Sequence, residues 1–193
     1  MYDEENHLVE CAKAGDVDAF GELFQRTHRR IYQYIRQMVP TQEDAEDLTQ
    51  EVYVRTWSGL KALQASEAFL VWLHRIARNV VLDRGRRARL DTVSLETAYS
   101  RQDEDEPDEM EIVDWSGNPE QVVLSEVTQE AIRQAVRSLP EIHREVVTMH
   151  HLEGMEVSEI AQVLGIPQNT VLSRLARARE ALRRRLSPLV DEK

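Results

Sequence analysis

Thr170, Ser173, Arg174 and Arg177 recur at three- and four-residue steps, so any helix that holds them presents them on one face. Two hydroxyls and two guanidiniums at that spacing offer donors to base edges and cations to phosphates, which is the chemistry of reading duplex DNA through its major groove. Just ahead of them, the amides of Gln168 and Asn169 can bond adenine edges, while Asn169 equally suits the N-cap of the helix. Such a face needs a platform. Val171, Leu175, Ala178 and Leu182 supply an apolar stripe on the other side, and Val157 to Leu164 forms a preceding helix against which it packs. Ala161 is small enough for the point where the two helices cross, and Gly165 suits the positive φ of the turn between them. Helix, glycine turn and arginine-rich helix over Val157 to Arg185 together spell a helix-turn-helix.

A second polar cluster lies upstream. Arg75, Arg78 and Asn79 fall beside Trp72 on a helix from Ala68 to Arg87 whose other side is Phe69, Leu73, Ile76 and Val80. Cations and an aromatic ring on one face can neutralise phosphates and hold unstacked bases. Both clusters sit in a chain of net charge −11, and the distribution of charge removes the contradiction. Residues 59–90 carry 7 basic and 2 acidic groups, and residues 168–186 carry six arginines against Glu180 alone. Most of the excess acid falls in residues 91–126, with 12 acidic groups and one basic. Two separate cationic stretches imply two nucleic-acid contacts.

The elements that position these clusters follow from periodicity. Phe20, Leu23, Phe24, Ile31, Ile35 and Met38 repeat helically from Asp16 until Pro40 stops them. Thr41 and Asp44 predict a capping box for a second helix, with an apolar seam of Ala45, Leu48 and Val52 opposite Asp44, Asp47, Glu51 and Arg55. With the Ala68 to Arg87 helix these make a three-helix N-terminal domain. Asp91 to Asn118 is acidic, aperiodic and broken by Pro107, Gly117 and Pro119, and reads as a flexible linker. Helical spacing resumes through Val127, Ala131, Ala135 and Val136, breaks at Pro140, and continues through Val146, Val147 and Leu152 into the helix-turn-helix. The fold class is therefore all-α: two small helical domains, 1–90 and 122–193, joined by an acidic linker, 91–121. Cys11 is the only cysteine and falls among Leu8, Val9 and Ala12, where it reads as a small core residue.

Three strings, DAEDLTQEVYVRTW at Asp44 to Trp57, FLVWLHRIARNVVLDRGRR at Phe69 to Arg87, and LPEIHREVVTMHHLEGMEVSEIAQVLGIPQNTVLSRLARAR at Leu139 to Arg179, resemble a bacterial sigma factor of the extracytoplasmic-function type. The resemblance implies that the first domain corresponds to sigma region 2 and the second to sigma region 4. It assigns core polymerase binding, through the clamp coiled coil, to Asp44, Asp47, Leu48, Gln50, Glu51, Arg55 and Trp57. Minus-ten recognition and melting fall to Lys61, Trp72, Arg75, Arg78, Asn79, Asp83, Arg86 and Arg87, with the loop Gly59 to Glu67 resembling the segment that pockets a flipped base. Minus-thirty-five recognition falls to Gln168, Asn169, Thr170, Ser173, Arg174 and Arg177. Two positions depart from the family pattern: Leu172 stands where a lysine is common, and Asn169 where a glycine is frequent.

The implied partners are core RNA polymerase (clamp and flap), promoter DNA and an anti-sigma factor. Neither a cofactor nor a metal is implied, and the chain reads as a cytoplasmic non-enzyme: no apolar run is long enough for a bilayer, and the acidic start lacks a signal peptide. His143, His150, His151 and Glu153 lack the HExxH arrangement of a metalloenzyme. The rival reading is a helix-turn-helix regulator that acts without polymerase. A random coil of the roughly 36 residues from Leu90 to Glu126 spans about 30 to 36 Å, short of the roughly 70 to 85 Å between promoter elements, so polymerase is expected to hold it extended. The same acidic residues are expected to cover the basic helices in the free protein.

Overall fold

Asp16 accepts hydrogen bonds from the amides of Asp18 (2.9 Å) and Ala19 (3.0 Å), satisfying two of the donors that a helix start leaves open. The helix it begins, Val17–Met38, runs until Val39 turns extended ahead of Pro40. The computed structural model describes residues 2–63, 69–92 and 126–190, and every regular element among them is helical. In chain order they are α1 (Tyr2–Lys13), α2 (Val17–Met38), α3 (Gln42–Gly59) with a 3-10 turn at Leu60–Ala62, α4 (Phe69–Thr92), α5 (Glu126–Arg137), α6 (Glu141–Val147) continued by a π turn (Thr148–Leu152), α7 (Val157–Leu164) and α8 (Gln168–Val190).

The N-terminal unit packs Leu23, Ile31 and Ile35 of α2, Ala45 and Val52 of α3, and Leu73, Ala77 and Val80 of α4 into one core. A fourth helix, α1, adds Val9 and Ala12 to it and was not expected as an element. The C-terminal unit buries Val136, Leu139, Val146, Met149, Ile160, Val171, Leu175 and Ala178. These two cores are continuous. α4 packs on α7, while α2 meets α5, α6 and the π turn.

Several expectations need correction. α4 starts at Phe69 and runs on to Thr92, so Asp91 and Thr92 belong to a helix. Phe24 stays 38% exposed at the edge of its seam, with its ring tilted on His28 and edge-on to Tyr53. Leu152 is 45% exposed, because the wider π turn rotates it off the line of Val146 and Val147. Cys11 is only half-buried, its Sγ 3.7 Å from His7 Nε2. The remainder of the acidic linker, 93–121, lies outside the described residues, as do 64–67 of the candidate base pocket.

Candidate nucleic-acid interface

The reading helix is fixed from behind. Gly165, at φ 68° and ψ 33°, occupies the left-handed region, and its amide and that of Ile166 both close on the Ala161 carbonyl (2.9 and 3.2 Å) to end α7. At the other end of α7 the Glu156 amide donates to Glu159 Oε2 at 2.8 Å. Pro167 then opens α8: its carbonyl accepts from the amides of Thr170 and Val171. Asn169 therefore sits inside the first turn and is not the N-cap. Gln168 and Asn169 are exposed there, followed by half-exposed Thr170, Ser173, Arg174 and Arg177, while Val171, Leu175 and Ala178 are buried. A helix with its N-terminal polar face open and its rear stripe anchored can enter a major groove.

The outer face of α4 is engaged differently. Trp72 is half-buried beside Phe69 and lies close over Gly59, where an added Cβ would meet its ring at 3.4 Å. Asn79, Arg86 and Arg87 are exposed, as is Lys61 on the 3-10 turn. Arg75 and Arg78 reach the C-terminal unit. Arg75 Nε donates to the Gln162 carbonyl of α7 at 2.9 Å, and Arg78 Nε donates to Glu145 Oε1 of α6 at 2.7 Å. Tyr34 of α2 donates its hydroxyl to the same Glu145 oxygen at 3.1 Å. Burial pushes the Glu145 carboxyl above its ordinary range despite these two partners, and pushes the Tyr34 hydroxyl well up too, with the Glu145 charge adding to the effect. Nearby, Arg30 of α2 pairs with Glu153 (3.4 Å) and donates to its backbone carbonyl.

On α3 the expected acidic face is partly committed within the chain. Asp44 takes the Thr41 hydroxyl at 2.6 Å and Arg84 at 2.8 Å, and these hold its carboxyl below the ordinary value, Thr41 most of all. Arg55 links Glu51 (2.5 Å) to Asp83 (3.2 Å), tying α3 to α4. Asp47 and Gln50 are exposed, Leu48 is in the core seam, and Trp57 is 40% exposed with its ring against Phe20 at 4.8 Å. Val17 and Val54 flank those rings in an open apolar patch.

Sequence reasoning missed Arg30, Tyr34 and Glu145, and weighed Glu153 only as a metal ligand. One signal was available for Glu145: it is a carboxylate flanked by Ile142, Val146 and Val147, where a helix would bury it. Among the described residues no three His, Cys, Asp or Glu side chains group as a metal site, and no helix is long and apolar enough to cross a membrane.

Comparison with known proteins matches residues 23–90 to the family Sigma-70 region 2 and residues 129–182 to Sigma-70, region 4. The ECF RNA polymerase sigma factor SigW of Bacillus subtilis (strain 168) is 32% identical over 190 residues, 94% of this chain and 96% of that one. The ECF RNA polymerase sigma-E factor of Escherichia coli (strain K12) is 32% identical over 187 residues, 95% and 94% of the two chains. Among solved structures, CnrH in complex with the cytosolic domain of CnrY superposes with a TM-score of 0.66 at 25% identity over 98% of this chain and 99% of that one. The sigma factor RpoE, in complex with the anti-sigma factor NepR from Bartonella quintana, shares the fold at a TM-score of 0.69 and 19% identity, over 89% and 98% of the two chains.

Proposed function

This chain belongs to the extracytoplasmic-function sigma factors of RNA polymerase, and we propose that it binds core polymerase and directs it to specific promoters, with region 2 capturing the minus-ten element and region 4 reading the minus-thirty-five element. One observation carries the reading: two arginine-bearing helices, α4 and α8, stand in a single chain in the order region 2 then region 4. A repressor has no use for the first.

The residues divide the work by chemistry. Asp47, Gln50 and Trp57 on α3, with Glu51 and Arg55 beside them, offer an acidic and aromatic surface suited to a basic helical partner on polymerase. Asp44 is held in place by Arg84, and Leu48 sets the helix from beneath. On α4 and the turn before it, Lys61, Arg75, Arg78, Arg86 and Arg87 neutralise phosphates of the melted strand, while Trp72 and Asn79 meet its bases and Asp83 orients Arg55. On α8, Gln168, Asn169, Thr170, Ser173, Arg174 and Arg177 face the major groove. The first domain extends to the end of α4 at Thr92, and the acidic stretch that follows, to 121, passes through the enzyme to the second domain, 122–193. RNA synthesis itself stays with the core enzyme, in the cytoplasm. An anti-sigma factor is the natural regulator, since a fold neighbour was captured with one.

The test is reconstitution. Core polymerase plus this protein should yield transcripts from genomic DNA with a defined set of start sites sharing two upstream elements. Tight promoter binding by the protein alone, with no association with core enzyme, would favour the regulator reading.

A further inference from the structure

α8 divides its outward side between two chemistries. Thr170, Arg174 and Arg177 form a polar and cationic column, each about one turn from the next. Beside it stand Asn169, Leu172, Ser173 and Ala176, whose steps of three and four residues make one contiguous patch. Val171, Leu175 and Ala178 are taken by the core, and Ala181 and Leu182 pack against it. Leu172 and Ala176, one turn apart, are half-buried and keep part of their surface open beside exposed Asn169. The patch also lies at the N-terminal end of the helix, the end that comes nearest to base edges.

This patch carries no cation, so phosphate is not its ligand. Ser173 donates its hydroxyl to the Thr170 carbonyl at 3.0 Å and offers only acceptor lone pairs outward. The Asn169 amide has the geometry to bond N6 and N7 of adenine together. Of the groups displayed in the major groove, the thymine 5-methyl alone is apolar, and each adenine there is paired with one. Leucine and alanine gain by covering a methyl group and can bond no other base edge. We propose that Leu172, backed by Ala176, covers the 5-methyl group of a thymine in the minus-thirty-five element, so that this column of α8 reads A·T pairs. The inference rests on reading α8 as the minus-thirty-five helix. Leucine in place of the lysine common at this position exchanges a hydrated cation, which any phosphate attracts, for a contact that depends on the base.

The experiment takes the methyl group from the DNA, so folding of a variant is not at issue. Core polymerase with the full chain selects sequences from a random duplex library. The recovered duplex is then remade with each upstream thymine singly replaced by deoxyuridine, which pairs alike and lacks only that methyl. Expected is a loss of about three- to fivefold in affinity at one or two neighbouring thymines and none at the rest, the effect of burying one carbon. Leu172→Ala should bind the thymine duplex weaker by the same factor and no longer distinguish uracil there, while Leu172→Met keeps the distinction. Leu172→Lys should erase it and steepen the salt dependence by roughly 0.9. Equal binding of every uracil duplex by wild type overturns the proposal. So does a full uracil penalty retained by Leu172→Ala, which would give the methyl to another residue. Recovered sequences with no common upstream element overturn the minus-thirty-five reading as well, whereas a shared element read with indifference to uracil spares that reading and removes only the methyl contact.

Discussion

α4 and α8 are both long, arginine-rich helices with a buried rear stripe, yet they meet their surroundings differently. α8 carries Gln168 and Asn169 out into solvent ahead of its arginines, whereas α4 ends Arg75 and Arg78 on atoms of the other unit. Sequence makes the two look alike, because helical spacing identifies which side chains face outward and says nothing of what stands opposite. The two helices thus differ in their surroundings: the first turn of α8 is solvent-exposed at Gln168 and Asn169, while two arginines of α4 are hydrogen-bonded to the other unit.

The strongest way to break this contrast is to loosen region 4 alone. Leu175, buried under α8, when cut to Ala should cost about 2 to 5 kcal/mol of region 4 stability. The two faces should then respond unequally: duplex binding through α8 falls, while single-strand binding through α4, which rests on Leu73, Ala77 and Val80, falls less. An equal fall in both, seen by melting and gel shift, would mean that the two helices stand or fall together. Next, Arg174→Ala should cost about 1 to 3 kcal/mol in promoter recognition if the side chain is bidentate to a guanine, while a phosphate contact would only lower the salt slope by roughly 0.9. Oligonucleotide binding by α4 should not change.

A third prediction concerns pH. Glu153, raised from 4.5 to about 7, takes up a proton in the folded form. Its favourable contribution is full below about 4.5 and disappears as pH rises through about 7. His74 and His151, both lowered from 6.5 to about 4 mainly by burial, act in the opposite sense, losing stability as pH falls. Comparing Glu153→Gln with wild type isolates the carboxylate from them and from Arg30, His150 and Arg179 nearby. The variant's melting temperature should rise relative to wild type between about pH 5 and pH 8, by an amount corresponding to about 1 to 2 kcal/mol; an unchanged difference would place Glu153 in water. Smallest, Gly165→Ala should cost about 1 kcal/mol from its left-handed backbone, lowering duplex binding and sparing polymerase association.

Much of this was legible beforehand. Ala161, Gly165, Val171, Leu175 and Ala178 fall where the helix-turn-helix requires them, since turn and stripe are local patterns. The seam of Ala45, Leu48 and Val52 and the Thr41 cap also hold. α1 escaped notice because its apolar positions are few, although Val9 and Ala12 were in view. The pairing of Tyr34 with Glu145 was illegible for a deeper reason: they lie 111 positions apart, and although apolar neighbours mark Glu145 for burial, nothing local says what it would face.

Arg75 has one more consequence. By donating to the Gln162 carbonyl it closes the fraying end of α7, the helix on which α8 rests. When that guanidinium leaves for a phosphate, the last turn of α7 loses a tether, and its amides should exchange with deuterium faster. Melting upstream of the start site would then be felt as a small slackening in the distant recognition head, a mechanical link between the two ends of the promoter.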